Sequence, residues 1–260
     1  MPLAPINPPI RDWRRQRVWI VGASSGIGAA LSSLLLDKGA EVVLSARRQA
    51  QLMQVANAHP RTFVLPLDVT DPASWREGWS ILQGEHRVPD LVVFCAADYR
   101  PEHCWELQHE RVRQTLDTNL AGVYFGLEAI LPEWMARQSG RIALVASVAG
   151  YVGLPGASVY GPGKAALINL AELLHAELRR HGIHVYLINP GFVATRLTAR
   201  NDFPMPAIIS PDVAAKYIVS GLERGHFEIH FPRRFTLWIK LIAMLPYRLR
   251  LPLLRHLART

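Results

Sequence analysis

Tyr160 and Lys164 stand four positions apart in Tyr160-Gly161-Pro162-Gly163-Lys164, a spacing that puts two helical side chains on one face. An ammonium held there stabilises tyrosinate and draws the phenol from its reference pKa of about 10 toward the range of a working acid/base. Ser147 lies 13 residues before the tyrosine, where its hydroxyl can bond the same substrate oxygen and polarise a carbonyl. Tyr-x-x-x-Lys alone arises often by chance, so its weight here comes from order: a glycine loop, a strand-end serine, then tyrosine and lysine. Pro162 is tolerated only if the helix begins near Tyr160, because the first turn has no intrahelical N–H bonds to lose.

The glycine loop is Gly22-Ala23-Ser24-Ser25-Gly26-Ile27-Gly28. It follows an apolar run and opens a helical pattern, the order in which glycines let a backbone approach a pyrophosphate at a helix amino terminus. Gly22, Ser24, Ser25, Gly26, Ile27 and Gly28 are therefore candidate cofactor contacts. Its spacing, Gly-x-x-x-Gly-x-Gly, is one residue longer in the first gap than Gly-x-Gly-x-x-Gly. At the end of the next apolar run, Val42-Val43-Leu44-Ser45-Ala46-Arg47-Arg48, an acidic residue would select the ribose of NAD. Arg47 and Arg48 stand there instead and suit a 2′-phosphate, which points to NADP(H).

These residues need a scaffold of strands buried on both faces, and the chain supplies one. Continuous apolar runs at Val18–Val21, Glu41–Ser45, Thr62–Leu65, Leu91–Phe94, Ile142–Val145, His184–Ile188 and Phe227–His230 read as strands of a parallel sheet. Helical patterns fall between them at Ile27–Lys38, Gln49–Ala58, Pro72–Gln83, Arg111–Arg137, Val159–Arg180 and Pro211–Glu223. Strict alternation predicts an α/β, doubly wound Rossmann-type fold of about seven parallel strands in a single domain. It divides as residues 1–16, an N-terminal extension, 17–232, the domain, and 233–260, an apolar, basic helical tail.

The 260 residues carry a net charge of +8. Arg233, Arg234, Lys240, Arg248, Arg250, Arg255 and Arg259 supply most of it, with no acidic residue after Glu228, so the body is nearly neutral and a nucleic-acid partner is not expected. Two cysteines, Cys95 and Cys104, make neither a disulfide framework nor a zinc site, and no metal is predicted. The Pro-rich start, Met1 to Pro9, lacks the apolar run of a signal peptide, and no apolar stretch is long enough to span a bilayer. The expectation is a cytoplasmic protein. Phe235–Leu245 and the leucines after it, interleaved with arginines and divided by Pro246 and Pro252, suit peripheral attachment to an anionic membrane surface, and equally a cap over the substrate pocket or a subunit contact.

Over roughly Arg17 to His230 the sequence resembles the short-chain dehydrogenases/reductases. Gly22, Gly26 and Gly28 match that family's cofactor loop, and Ser147, Tyr160 and Lys164 its catalytic positions. The resemblance adds Asp68 and Val69, the pair at the adenine ring. It adds Asn119, in Asn119-Leu120-Ala121-Gly122, as the fourth catalytic residue, holding a water of the proton relay. Pro190, Gly191, Val193 and Thr195, in Pro190-Gly191-Phe192-Val193-Ala194-Thr195, match the segment against the nicotinamide and its phosphates. Two positions depart from the family: Val21 replaces a threonine, and Phe94-Cys95-Ala96-Ala97 replaces Asn-Asn-Ala-Gly.

The resemblance implies an NADPH-dependent carbonyl reductase, or its reverse, with a small apolar carbonyl or alcohol substrate. The apolar character is read from Phe192, Leu197, Phe203, Met205, Ile208 and Ile209 in the segment that lids the substrate in the family. The alternative is a non-catalytic NADP-binding sensor, supported by the Phe94–Ala97 departure. A homodimer or homotetramer paired through the two long helices is implied, with Leu167, Leu170, Leu173 and Leu174 offered for the contact.

Overall fold

The computed structural model describes residues 4–257. Seven strands form one sheet: β1 (Arg17–Val21), β2 (Glu41–Ser45), β3 (Thr62–Val64), β4 (Leu91–Phe94), β5 (Gly140–Val145), β6 (Ile183–Pro190) and β7 (Glu228–Phe231). All pairs are parallel, in the order β3-β2-β1-β4-β5-β6-β7. The strand order reverses between β1 and β4. In an open α/β sheet the carboxyl ends of such strands border the ligand crevice.

Among the described residues nine α-helices accompany the sheet: α1 (Gly26–Asp37), α2 (Gln49–Ala56), α3 (Pro72–Gly84), α4 (His109–Leu116), α5 (Gly122–Arg137), α6 (Tyr160–Leu178), α7 (Pro211–Glu223), α8 (Arg233–Met244) and α9 (Tyr247–Leu257). The strands are apolar on both faces because each face is covered. Val18, Ile20, Val42 and Leu44 share a core with Leu31 and Leu35 of α1 and Ile218 of α7. Trp19, Val21, Val43 and Val92 share the other with Trp75 of α3, Ile130 of α5 and Leu167 of α6. Helix starts follow capping chemistry: Asp71 accepts from Ala73 N–H before Pro72, and Ser210 accepts from Val213 N–H before Pro211.

Several elements differ from the sequence expectation. Arg111–Arg137 is not one helix: α4 and α5 are joined by a π-helical turn, Asp117–Ala121, that holds Asn119. Such a turn inserts a residue without changing the apolar period enough to be read. Leu167, Leu170 and Leu174 are buried toward the sheet, leaving Leu173 as the exposed leucine of the four. Pro246 separates α8 from α9 as anticipated, but Pro252 lies inside α9 instead of dividing it. Before β1, Ile10 and Trp13 are buried and Asn7 Nδ2 donates to Val185 O. The tail positions after 257, including Arg259, and the start at residues 1–3 lie outside the described residues. Among the described residues no helix is long and apolar enough to cross a membrane.

Candidate active site

A cavity of about 1290 Å3 opens at the carboxyl ends of the strands, and most of the expected residues meet on its walls. One end is the glycine loop. Gly22 has φ +98°, and a Cβ there would lie 2.5 Å from Ala96 N, so the turn needs glycine for both conformation and space. Gly28 lies just beneath the wall, where a Cβ would come within 2.2 Å of Gly22 O. Ser25 precedes α1 without a side-chain cap, leaving N–H groups of the first turn to a ligand. Ser24, Ser25, Gly26 and Ile27 line the cavity, and the Thr195 methyl lies 3.0 Å from where a Gly26 Cβ would stand.

Arg47 and Arg48 line the same end, exposed just after β2, and among the described residues neither guanidinium forms an ion pair or hydrogen bond. Asp68 Oδ1 accepts from Thr70 N–H and Oγ1–H at 3.0 and 2.8 Å, fixing the carboxylate at the cavity edge. Val69 borders the cavity while its carbonyl accepts from Trp75 Nε1. Pro190, Gly191 and Val193 continue the wall from β6. Backbone cradle, cations and anchored carboxylate together fit a dinucleotide.

At the middle of the cavity Ser147, Tyr160 and Lys164 converge. Ser147 follows β5 and caps a short helical turn, accepting from Ala149 N–H. Tyr160 is the first residue of α6, so Pro162 falls in the first turn. Lys164 is 2% exposed. Its Nζ donates to Val145 O at 2.8 Å and lies 5.4 Å from the Tyr160 ring centroid. Burial pushes the Tyr160 phenol up to about 12, with the Ser147 hydroxyl offsetting part of the rise. Burial likewise lowers Lys164 to about 8, against the opposing influence of Cys95. The spacing rule brings the pair together correctly, but desolvation outweighs the expected lowering of the tyrosine.

Asn119 does not line the cavity. It is 1% exposed, and its amide brackets Asp98: Asp98 N–H donates to Oδ1 and Nδ2 donates to Asp98 O, both at 2.7 Å. Thr115 Oγ1 adds a bond to the Asp98 carboxylate. The π-helical turn thus anchors the segment after β4. Cys95, Ala96 and Ala97 of that segment border the cavity, and burial raises the Cys95 thiol to about 11 against the pull of Lys164 and the Gly28 backbone.

The far end is aromatic. Phe192, Phe203 and Leu197 line it as expected, whereas Met205, Ile208 and Ile209 do not. Ile209 pairs with Val193 as an isolated bridge. Residues outside the site candidates of the sequence complete this end. Tyr99 sits edge-on to Tyr160 at 4.9 Å, and its hydroxyl donates to Asn201 Oδ1. Phe235 and Ile239 of α8 close the wall. Lys240 of α8 is turned inward to Glu228, which also accepts from Tyr151 and Asn189. Arg196 reaches Ser25 Oγ over the glycine loop at 3.4 Å. Phe235 and Ile239 stand one helical turn apart, but the other contacts follow no helix or strand period, which is why pattern reading passes over them.

A doubly wound parallel sheet with a nucleotide cradle at its switch point and a Ser–Tyr–Lys group beside it is the build of a nicotinamide-nucleotide oxidoreductase. The short chain dehydrogenase family model matches residues 16–203, and the chain belongs to that family. It is 35% identical over 231 residues to an uncharacterized oxidoreductase of Myxococcus xanthus (strain DK1622), covering 87% of this chain and 91% of that protein. Its fold is that of a short chain dehydrogenase from Burkholderia cenocepacia J2315 solved in complex with NADP (TM-score 0.81, 23% identity, 96% of this chain and 100% of the other). A short chain dehydrogenase/reductase from Burkholderia phymatum in complex with NAD is equally similar in fold (TM-score 0.81, 19% identity, 89% and 94%). The protein is an oxidoreductase of the short-chain dehydrogenase type.

Proposed function

We propose that the protein is an NADP(H)-dependent carbonyl reductase for a small apolar, lipid-like ketone, or the NADP-dependent dehydrogenase of the matching secondary alcohol. The observation that carries this reading is the meeting of Ser147, Tyr160 and Lys164 on one cavity wall between the glycine cradle and the aromatic end. Arg47 and Arg48, unpaired among the described residues, support NADP(H) over NAD(H).

Bound NADPH supplies hydride to the carbonyl carbon. Ser147 donates a hydrogen bond to the carbonyl oxygen, and Tyr160, protonated through the neutral range, gives that oxygen its proton. Lys164, fixed by Val145 O, holds a positive charge beneath the tyrosine ring and favours the tyrosinate that remains. Asn119 works through Asp98, keeping the segment 95–98 in place as a positioning residue. Phe192, Phe203, Phe235 and Ile239 favour an apolar substrate and exclude water from the reacting carbon. Pairing of two copies through α5 and α6, which expose Tyr124 and Leu173, belongs to the same reading.

The test is a ketone screen following NADPH absorbance, with long-chain ketones offered in detergent micelles. Tyr160→Phe should lower turnover by about 10²-fold or more while NADPH still binds. Undiminished turnover in that variant would remove the mechanism. Tight NADPH binding with no oxidation by any ketone, or its reverse, would favour a nucleotide sensor.

A further inference from the structure

α8 is apolar on two opposite sides. Toward the body, Phe235, Ile239 and Ala243 pack on Val148 and Val152, and the Phe235 ring lies 5.4 Å from that of Phe192. Toward solvent, Leu237, Trp238, Leu241 and Met244 recur at i, i+1, i+4 and i+7, one face of a helix. In α9, Tyr247 and Leu251 share one side of the helix and Leu249 and Leu253 the opposite one, so that α9 adds exposed apolar side chains all round; the eight side chains of the two helices are between 45% and 76% exposed. A helix packed on one side ordinarily turns polar residues outward, and so large an exposed apolar patch marks an interaction site.

Charge decides the partner. Arg233, Arg234, Arg248 and Arg255 are exposed around this surface, and no acidic residue follows Glu228. Lys240 is turned inward to Glu228 and adds nothing to the outer face. A second copy docked here about a two-fold axis would set the same arginines against one another with no carboxylate between them. An anionic lipid surface satisfies both features: leucines and Met244 enter the acyl boundary, Trp238 and Tyr247 sit at headgroup level, and the guanidiniums meet phosphate.

We infer that the outward face of α8 and α9 docks on an anionic lipid bilayer, with the protein lying on the membrane and not across it. The same α8 turn that would rest on lipid carries Phe235 and Ile239 into the cavity wall, so the docked face and the apolar end of the cavity are separated by one helix, about 10 Å across. That proximity suits a substrate drawn from the bilayer. The docking itself does not depend on the reductase reading.

Sedimentation of the full-length protein with unilamellar vesicles tests it. With phosphatidylcholine and phosphatidylglycerol at low ionic strength the protein should pellet, and raised salt should release part of it. With phosphatidylcholine alone binding should fall by on the order of 10³-fold, each of the four exposed arginines contributing about fivefold. The triple variant Trp238→Ser, Leu241→Ser, Met244→Ser, none of whose side chains lines the cavity, should stay in the supernatant with NADPH affinity and thermal unfolding unchanged. Full-length protein that ignores anionic vesicles, or binds both kinds equally, would overturn the inference. So would light scattering in which the triple variant breaks a larger assembly, which would show a second copy on this face. Vesicle binding is read without turnover, so its failure and the failure of the proposed reaction are separate results.

Discussion

The two ends of the cavity are built by different means. The nucleotide end, after β1, β2 and β4, is shaped by backbone: Gly22 at positive φ, Gly28 against Gly22 O, and the open first turn of α1. The substrate end is shaped by side chains from separate segments, with Tyr99 before α4, Phe192 and Phe203 after β6, and Phe235 in α8. Backbone contacts leave no room for a methyl group, whereas an aromatic wall can be exchanged ring by ring with neighbours adjusting. A scaffold so divided keeps one nucleotide while altering the second reactant.

The largest expected effect breaks the nucleotide end. Gly28→Ala drives a Cβ to 2.2 Å from a backbone oxygen that cannot rotate away. NADPH affinity should fall on the order of 10²-fold by calorimetry, the cost of a forced backbone shift of about 1–3 kcal/mol. Gly153→Ala, with nothing within 4 Å of its Cβ, should change nothing. Equal behaviour of the two variants would mean that the loop is not a close-approach site. Next in size, Arg47→Ala with Arg48→Ala should weaken NADPH by about 10- to 100-fold and NADH little, since only the first has the extra phosphate. Equal losses would take the phosphate away from these arginines.

The same division explains what the sequence made legible. Continuous apolar runs place all seven strands within a few residues, because a sheet covered on both faces leaves no polar alternation. Gly22 to Gly28 are legible because a backbone requirement writes itself as residue type. Tyr160 and Lys164 are legible as a pair, but not their electrostatics, which depend on burial beneath neighbours far away in the chain. Lys240 reads as one more tail cation, yet its partner is Glu228 of β7, and no helical period relates the two. The leucines of α6 show the converse, since a core face and a contact face have the same spacing until the sheet is in place.

A pH profile sharpens the comparison at the point where the two ends meet. Lys164 titrates near 8, while Tyr160 keeps its proton to about 12. For ketone reduction the proton donor is therefore present throughout, and the charge lost first is the ammonium. With NADPH as the varied reactant, kcat/KM should be flat below pH 8 and fall toward tenfold per unit above it. Stability should move the other way at first. Between pH 8 and 9 the unfolded lysine, with its ordinary value of 10.5, still holds the proton that the folded one has lost, so burial costs less as pH rises. Above 9 the raised Cys95 offsets this gain, because the folded thiol keeps its proton to about 11, and above 10 the raised Tyr160 turns the trend downward. Activity loss that tracks unfolding over pH 8–9 would contradict the assignment to Lys164.

The smallest effect belongs to the substrate end alone. Glu228 binds Lys240 of α8, Tyr151 after β5 and Asn189 of β6, and His230 Nδ1 lies 2.6 Å from Thr236 Oγ1 as a second tie. These contacts set how α8 lies over the cavity, hence where Phe235 and Ile239 stand. Lys240→Met removes the charge but keeps most of the unbranched side chain and leaves Glu228 with its tyrosine and asparagine donors, so the fold should persist. A half-buried ion pair is worth under about 1 kcal/mol. KM for an apolar ketone should therefore rise only about two- to fivefold, with kcat and NADPH affinity unchanged. An unaltered KM would show that apolar packing holds α8 by itself. A matching loss of NADPH affinity would show that the two ends of the cavity are not separable after all, because α8 reaches the nucleotide wall through Phe235, whose ring would lie 2.9 Å from a Cβ at Gly191.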